Sequence, residues 1–104
     1  MRRIVLLILL CAAGNCARAA EYSIEQRNKM FIATSLHVKV GDVLVFVNYD
    51  PYVHNVFSLS DVQSFDLGSF GKGEVRKVQL TSPGRLTIEC AVHPAMSIVI
   101  DVSK

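Results

Sequence analysis

The chain has 104 residues, of which 11 are basic and nine acidic, so its formal net charge is +2, and 51% of its residues are hydrophobic. This length suits one small domain and leaves no room for a second. Lysines and arginines do not cluster among aromatic residues, which excludes the usual nucleic-acid-binding surface.

The first nineteen residues predict a secretory signal peptide. Arg2 and Arg3 precede a ten-residue apolar run over 4–13, and Ala17-Arg18-Ala19 supplies a small-x-small cleavage site. A membrane anchor is the alternative, but this run is much shorter than the roughly 20 apolar residues that a bilayer-crossing helix needs. We therefore expect cleavage after Ala19, export to the periplasm or the medium, and no stable membrane insertion afterwards.

Cleavage would change both the charge and the thiol content of the chain. Residues 20–104 hold eight basic and nine acidic residues, a net charge of about −1. Lipid attachment at Cys11 or Cys16 is disfavoured because neither follows a small residue, and cleavage removes both. Cys90 is then the sole thiol in an oxidising compartment, where it needs a partner or a protected use such as a metal bond. A buried cysteine acting as a small apolar side chain is the alternative.

Alternation of apolar and polar residues predicts short β-strands and no helix of ordinary length in the mature region. Turns are expected at Gly41-Asp42, at Asp50-Pro51 and at Ser82-Pro83-Gly84, and also at Gly68 and over 71–73. The predicted strands cover residues 36–40, 43–47, 54–59, 75–80, 86–90 and 98–102. Six or seven short strands of this kind favour two sheets packed around one core, an all-β sandwich.

The alternation also predicts the direction of the Cys90 side chain. If Leu86 and Ile88 face the interior, Cys90 at the end of that strand faces it too. The segment 90–96 then forms a loop between two strands. His54 begins another strand, so we expect its side chain and the loop to lie at the same end of the sandwich.

Four side chains form a candidate metal site: His54, Cys90, His93 and Met96. One thiolate, two imidazoles and one thioether suit copper that cycles between Cu(I) and Cu(II). Zinc is the main competitor, but methionine is a poor fourth ligand for zinc. Taken singly, each residue has an ordinary alternative: a surface histidine, a core methionine or a buried apolar cysteine. His37 is expected to face solvent.

The order and spacing of these residues resemble a known family. The segments Asn48-Tyr49-Asp50, His54-Asn55-Val56, Pro83-Gly84 and Cys90 to Met96 are similar to those of the cupredoxins, or blue copper proteins, of the plastocyanin and amicyanin type. The likeness covers nearly all of the mature chain. The short spacing between His93 and Met96 resembles the amicyanin type.

The resemblance implies a Greek-key β-sandwich of about six to eight short strands over residues 20–104, holding one type 1 copper ion. It implies that His54, Cys90 and His93 form a trigonal ligand set and that Met96 is a weak axial ligand. Asn55 would tie the two ligand loops together by hydrogen bonds. Whether the backbone carbonyl of Val53 approaches copper stays open.

The implied function is electron transport and not enzymatic catalysis. A monomer would carry single electrons between transient redox-protein partners that dock near His93, whose ring edge we expect to be exposed among apolar neighbours. Copper sequestration or delivery is the alternative, and a metal-free binding module is a third. A single closed set of ligands argues mildly against delivery, which favours open surfaces rich in methionine or histidine.

Overall fold

The computed structural model describes residues 19–104, which contain nine β-strands. The predicted signal peptide, with Cys11 and Cys16, lies outside the described residues except for Ala19. In the described part no helix is long and apolar enough to cross a membrane. The strands are β1 (Glu21–Arg27), β2 (Met30–Phe31), β3 (Ser35–Lys39), β4 (Val43–Asn48), β5 (His54–Ser58), β6 (Phe65–Phe70), β7 (Val75–Gln79), β8 (Gly84–Glu89) and β9 (Ser97–Ser103).

The strands form two sheets, one with the order β2-β1-β4-β7 and the other with the order β3-β9-β8-β5-β6. The pairs β1-β4 and β3-β9 are parallel, and the other pairs are antiparallel. This confirms the predicted all-β sandwich. The count of nine exceeds the expected six to eight, because β1, β2 and β6 were not predicted as strands.

Each central strand contributes alternate side chains to the core, because successive residues of a strand point to opposite faces of the sheet. In β4, Leu44 and Phe46 are fully buried while Val43, Val45 and Val47 are only half-buried, so one face of this apolar strand is more buried than the other. In β8, Leu86 and Ile88 point inward, as predicted. Predicted strand ends are accurate to one residue, except that β8 begins at Gly84, two residues before the predicted start and within the predicted Ser82-Pro83-Gly84 turn.

Gly68 lies inside β6 and not in a turn, which corrects the sequence-based prediction. Its φ of +76° is left-handed, and its backbone amide donates to Asp66 Oδ1 at 2.9 Å. The pairing of β5 with β6 shifts register between Asn55 and Phe57. A glycine here allows the irregular strand to continue past the shift, since a residue with a Cβ would be strained at this φ. The 71–73 segment is a turn, as expected.

Asp42 stabilises the start of β4, which is the end of the strand that lies away from the predicted ligands. Its carboxylate accepts hydrogen bonds from the backbone amides of Lys39 at 2.8 Å and Ala20 at 3.0 Å. These two bonds, from Lys39 first and then Ala20, lower the pKa of Asp42 although burial opposes them. The start of β1 and the β3-β4 turn are thereby held together.

Two positions are unusual, one in the core and one on the surface. Gln26 is fully buried, and neither its side-chain nitrogen nor its side-chain oxygen has a hydrogen-bond partner among the described residues. Gly84 has a φ of +135°, and a Cβ built there would lie 2.7 Å from a methyl group of Val62. Only a glycine fits this position without strain or a shift of the neighbouring side chain.

Candidate metal centre

The ends of two paired strands bring His54 and Cys90 together. His54 is the first residue of β5, and Cys90 directly follows β8, which pairs with β5. Both side chains are buried, with exposed fractions of 0% and 1%. Cys90 Sγ lies 3.9 Å from His54 Nδ1, as the inward direction predicted for the cysteine required.

The loop after β8 adds the ring of His93. The backbone amide of Met96 donates to the carbonyl of His93 at 2.9 Å, which closes a turn and directs the imidazole back toward the strand ends. His93 Nδ1 lies 3.9 Å from Cys90 Sγ and 3.1 Å from His54 Nδ1. His54, Cys90 and His93 are therefore brought together from distant parts of the sequence.

The three donor atoms fit a single metal ion. A point equidistant from Cys90 Sγ and the two Nδ1 atoms lies about 2.1 Å from each, close to the 2.0–2.1 Å and 2.3 Å typical of zinc–imidazole and zinc–thiolate bonds. Two strand ends and one loop thus hold the three donor atoms at distances that suit one ion, which makes them a candidate copper site. Met96 is buried at the end of the same loop, and its role as an axial ligand stays a prediction.

Asn55 joins the two segments that carry the ligands. Its side-chain Oδ1 accepts a hydrogen bond from the backbone amide of Ala91 at 2.7 Å, and its own backbone amide donates to Cys90 Sγ at 3.5 Å. The first bond fixes the loop against β5, and the second stabilises negative charge on the sulfur. The link that the resemblance implied for Asn55 is present.

Asp50 makes a contact with His54 that the sequence analysis missed. Its Oδ2 lies 2.7 Å from His54 Nε2, and both side chains are buried. Burial alone would raise the pKa of Asp50, but hydrogen bonds from the Lys29 amide, the His54 ring and the Asn28 amide outweigh it and lower the pKa. The carboxylate is therefore charged at neutral pH. The sequence offers one signal for this contact, an acidic residue four positions before the histidine, but the turn and the motif that contain Asp50 do not show where its side chain points.

The ring of His93 is half-buried and lies beside an exposed aromatic side chain. The Tyr52 ring centroid is 5.6 Å from that of His93 and 5.7 Å from that of His54. Burial is the main cause that lowers the pKa of His93, followed by the charges of His54 and Lys29. The exposed apolar residues in the adjoining segments are Pro51, Tyr52, Val53, Val92, Pro94 and Ala95. His37 faces solvent, as expected, with 84% of its side chain exposed.

No protein-family model matches the chain. One relative, the methylamine utilization protein MauL of Methylorubrum extorquens AM1, is 26% identical over 88 residues, which are 84% of this chain and 77% of MauL. A solved structure of a reduced amicyanin variant matches with a TM-score of 0.74 and 22% identity, covering 84% of this chain and 86% of that one. The Cu(I) form of another amicyanin variant matches with a TM-score of 0.74 and 24% identity, covering 84% of this chain and 85% of that one. The chain thus has the cupredoxin fold that its sequence predicted.

Proposed function

We propose that this chain is an exported type 1 copper protein that carries single electrons between redox partners. His54, Cys90 and His93 would be the strong ligands and Met96 the weak axial ligand. The observation that carries the proposal is the convergence of one thiolate and two imidazole nitrogens on one point at the end of a cupredoxin sandwich. The similarity to MauL and to amicyanin, whose Cu(I) forms are among the matching structures, supports it.

The donor set favours copper over zinc. A thiolate, two imidazoles and a long thioether contact form the ligand set of blue-copper centres, whereas structural zinc sites are closed tetrahedra of cysteine and histidine. Bound copper would supply the one-electron couple between Cu(I) and Cu(II). Because Cys90 would be a ligand, the proposal also explains how a lone thiol is kept from oxidation in an oxidising compartment.

The chain's own residues hold the site still. His54 and Cys90 lie at the ends of paired strands and are fully buried, and Asn55 fixes the ligand loop to β5. The Tyr52 ring lies beside both imidazole rings, with its centroid 5.7 Å from that of His54 and 5.6 Å from that of His93. Electron transfer is fast when little has to move, so this rigid and largely dry arrangement suits a carrier.

The half-buried ring of His93 marks the surface on which a redox partner would dock. It is surrounded by exposed apolar side chains, among them Tyr52 at 38% and Val92 at 51% exposure. A small apolar surface suits the brief complexes of electron-transfer proteins. Lys29 lies over the ring of Tyr52, so positive charge borders this surface and would favour a partner with acidic residues at its rim, whereas Arg27, over the ring of Tyr49, is paired with Glu25 at 2.7 Å.

The decisive experiment is reconstitution of residues 20–104 with Cu(II). The wild-type protein should develop the intense blue colour of a thiolate-to-copper charge transfer, and Cys90→Ser should abolish it. His37→Ala is the matched control, since it removes an exposed histidine outside the site. A colourless wild-type protein would refute the type 1 site. Copper binding without reversible reduction and reoxidation would favour sequestration or delivery.

Export and processing belong to the same proposal and need a separate test. Expression of the full chain in a Gram-negative host should give a periplasmic monomer whose first residue is Ala20. Cell fractionation measures the location, N-terminal sequencing the first residue and gel filtration the oligomeric state. Retention of residues 1–19 in a membrane fraction would contradict the predicted cleavage.

A further inference from the structure

We propose that Asp50 is a positioning residue for His54, and that its buried carboxylate directs Nδ1 of the ring toward Cys90 and favours Cu(II) over Cu(I). Only the preference for Cu(II) rests on the proposed function, because the orientation of the His54 ring can be measured without a metal.

The hydrogen bond determines which ring nitrogen is available to a metal. His54 Nε2 is 2.7 Å from Asp50 Oδ2, at a site where His54 is fully buried and Asp50 is 5% exposed. A carboxylate can only accept, so Nε2 carries the proton and Nδ1 is left to face Cys90 Sγ. A histidine held in this way by a carboxylate is oriented, fixed in one tautomer and made a stronger donor to metal.

The carboxylate of Asp50 is itself held in place from a distant part of the chain. It accepts hydrogen bonds from the backbone amides of Asn28 at 2.7 Å and Lys29 at 2.9 Å. Those two residues have left-handed φ angles of 54° and 61° in the turn between β1 and β2, which curls around the carboxylate. The Asp50 amide in turn donates to Asn48 Oδ1 at 2.7 Å. Since both carboxylate oxygens are engaged, the group has no freedom to turn away from His54.

The charge of Asp50 has a consequence of its own. With the Cys90 thiolate it places a second negative charge beside the site, in a region that is mostly closed to solvent. Coulombic attraction in such a region is stronger than in water and larger for a doubly than for a singly charged cation. The Lys29 ammonium lies 5.4 Å from the centroid of the Tyr52 ring and is exposed, so solvent screens its opposing charge. The geometry therefore favours Cu(II).

Two substitutions separate the two effects. In Asp50→Asn the amide oxygen can still accept from His54 and from Lys29, so the ring orientation should be kept while the charge is lost, and the bond from the Asn28 amide is lost with it because the new amide nitrogen cannot accept. In Asp50→Ala both are lost. The matched control is Asp42→Asn, which removes another buried carboxylate, bound to the Lys39 amide and to the nitrogen of Ala20, the first residue of the predicted mature chain. It lies at the far end of β4, roughly 20 Å away at 3.3 Å per residue.

The first readout is the reduction potential of the copper-loaded protein. Asp50→Asn should raise the preference for Cu(I) over Cu(II) by about tenfold or more, a positive shift of about 59 mV for a one-electron couple. Asp42→Asn should leave the potential unchanged. A folded Asp50→Asn protein with less than a twofold change in that preference would overturn the charge effect.

The second readout uses metal-free protein and nitrogen NMR of the imidazole rings. The His54 proton should sit on Nε2 in the wild type and in Asp50→Asn, and Asp50→Ala should lose this single state. A neutral wild-type ring protonated at Nδ1 would overturn the positioning role, even if none of the variants folds. If the wild type is blue and Asp50→Asn has the same reduction potential, the charge effect alone is refuted. If the wild type stays colourless but His54 carries its proton on Nε2, the proposed function alone is refuted.

Discussion

Replacement of Asn55 by alanine should loosen the copper site more than it destabilises the fold. The substitution deletes the oxygen that accepts from the Ala91 amide at 2.7 Å, and that amide is exposed, so water can replace the lost partner. The free energy of unfolding of the metal-free protein should therefore fall by only about 0.5–1.5 kcal/mol, the usual net value of such a bond. Loss of a contact that orients a ligand should lower copper affinity by about 10–100-fold.

The assay is competition for Cu(I) with a chelator, together with urea unfolding of the metal-free protein. Gln63→Ala is the control, because Gln63 also bonds to exposed backbone groups, with Thr81 at 2.9 Å and Gln79 at 2.9 Å, but at the other end of β5. It should reduce stability without changing copper affinity. If Asn55→Ala and Gln63→Ala have the same copper affinity, Asn55 does not restrain the ligand loop.

Four further predictions concern the fold and the axial ligand. Gln26→Met should raise the free energy of unfolding by about 1–2 kcal/mol, since it removes a buried amide without partners; a decrease in urea experiments would show that the amide has a partner, such as water. Gly84→Ala should lower it by about 2–5 kcal/mol through backbone strain and overlap with Val62, and Val62→Ala should restore part of that loss. Met96→Leu should keep stability within about 1.5 kcal/mol but change the visible spectrum and potential of the copper form; unchanged values would exclude Met96 as a ligand. Asp42 has a lowered pKa in the folded state, so its stabilising effect is complete above its unfolded pKa and lost as the pH falls through the folded pKa. Asp42→Asn should flatten the pH dependence of stability below about pH 4, and curves parallel to the wild type would contradict this.

The period of two is clearest in β8 and β9. Leu86 and Ile88 in β8, and Ile98, Ile100 and Val102 in β9, occupy successive inward positions, so the alternation is easy to recognise. In β1 the inward series includes Gln26, and in β6 the strand contains Gly68 and the exposed Asp66. Polar residues and glycine within β1 and β6 obscure the alternation of apolar and polar residues, and β2, with two residues, is too short for any alternation. These strands form because neighbouring strands offer pairing partners, which local sequence does not reveal.

The candidate ligands were predictable and the contact behind them was not. His54, Cys90 and His93 follow from motif spacing and from the inward direction of Cys90 in its strand. The bond from His54 to Asp50 depends on where the carboxylate points, and two backbone amides more than twenty residues earlier in the chain decide that direction. No pattern within the segment 48–54 specifies those partners.

The proposed ligands come from segments 36 residues apart in the chain, His54 and Cys90, so a bound ion would also act as a removable cross-link. A covalent bridge over a loop of this length lowers the entropy of the unfolded chain and so raises its free energy by about 4 kcal/mol in the chain-entropy model. If copper does the same, its uptake raises the free energy of unfolding, and a strong chelator has the effect that a reductant has on a disulfide. Resistance to heat and proteolysis would then follow the copper supply of the compartment.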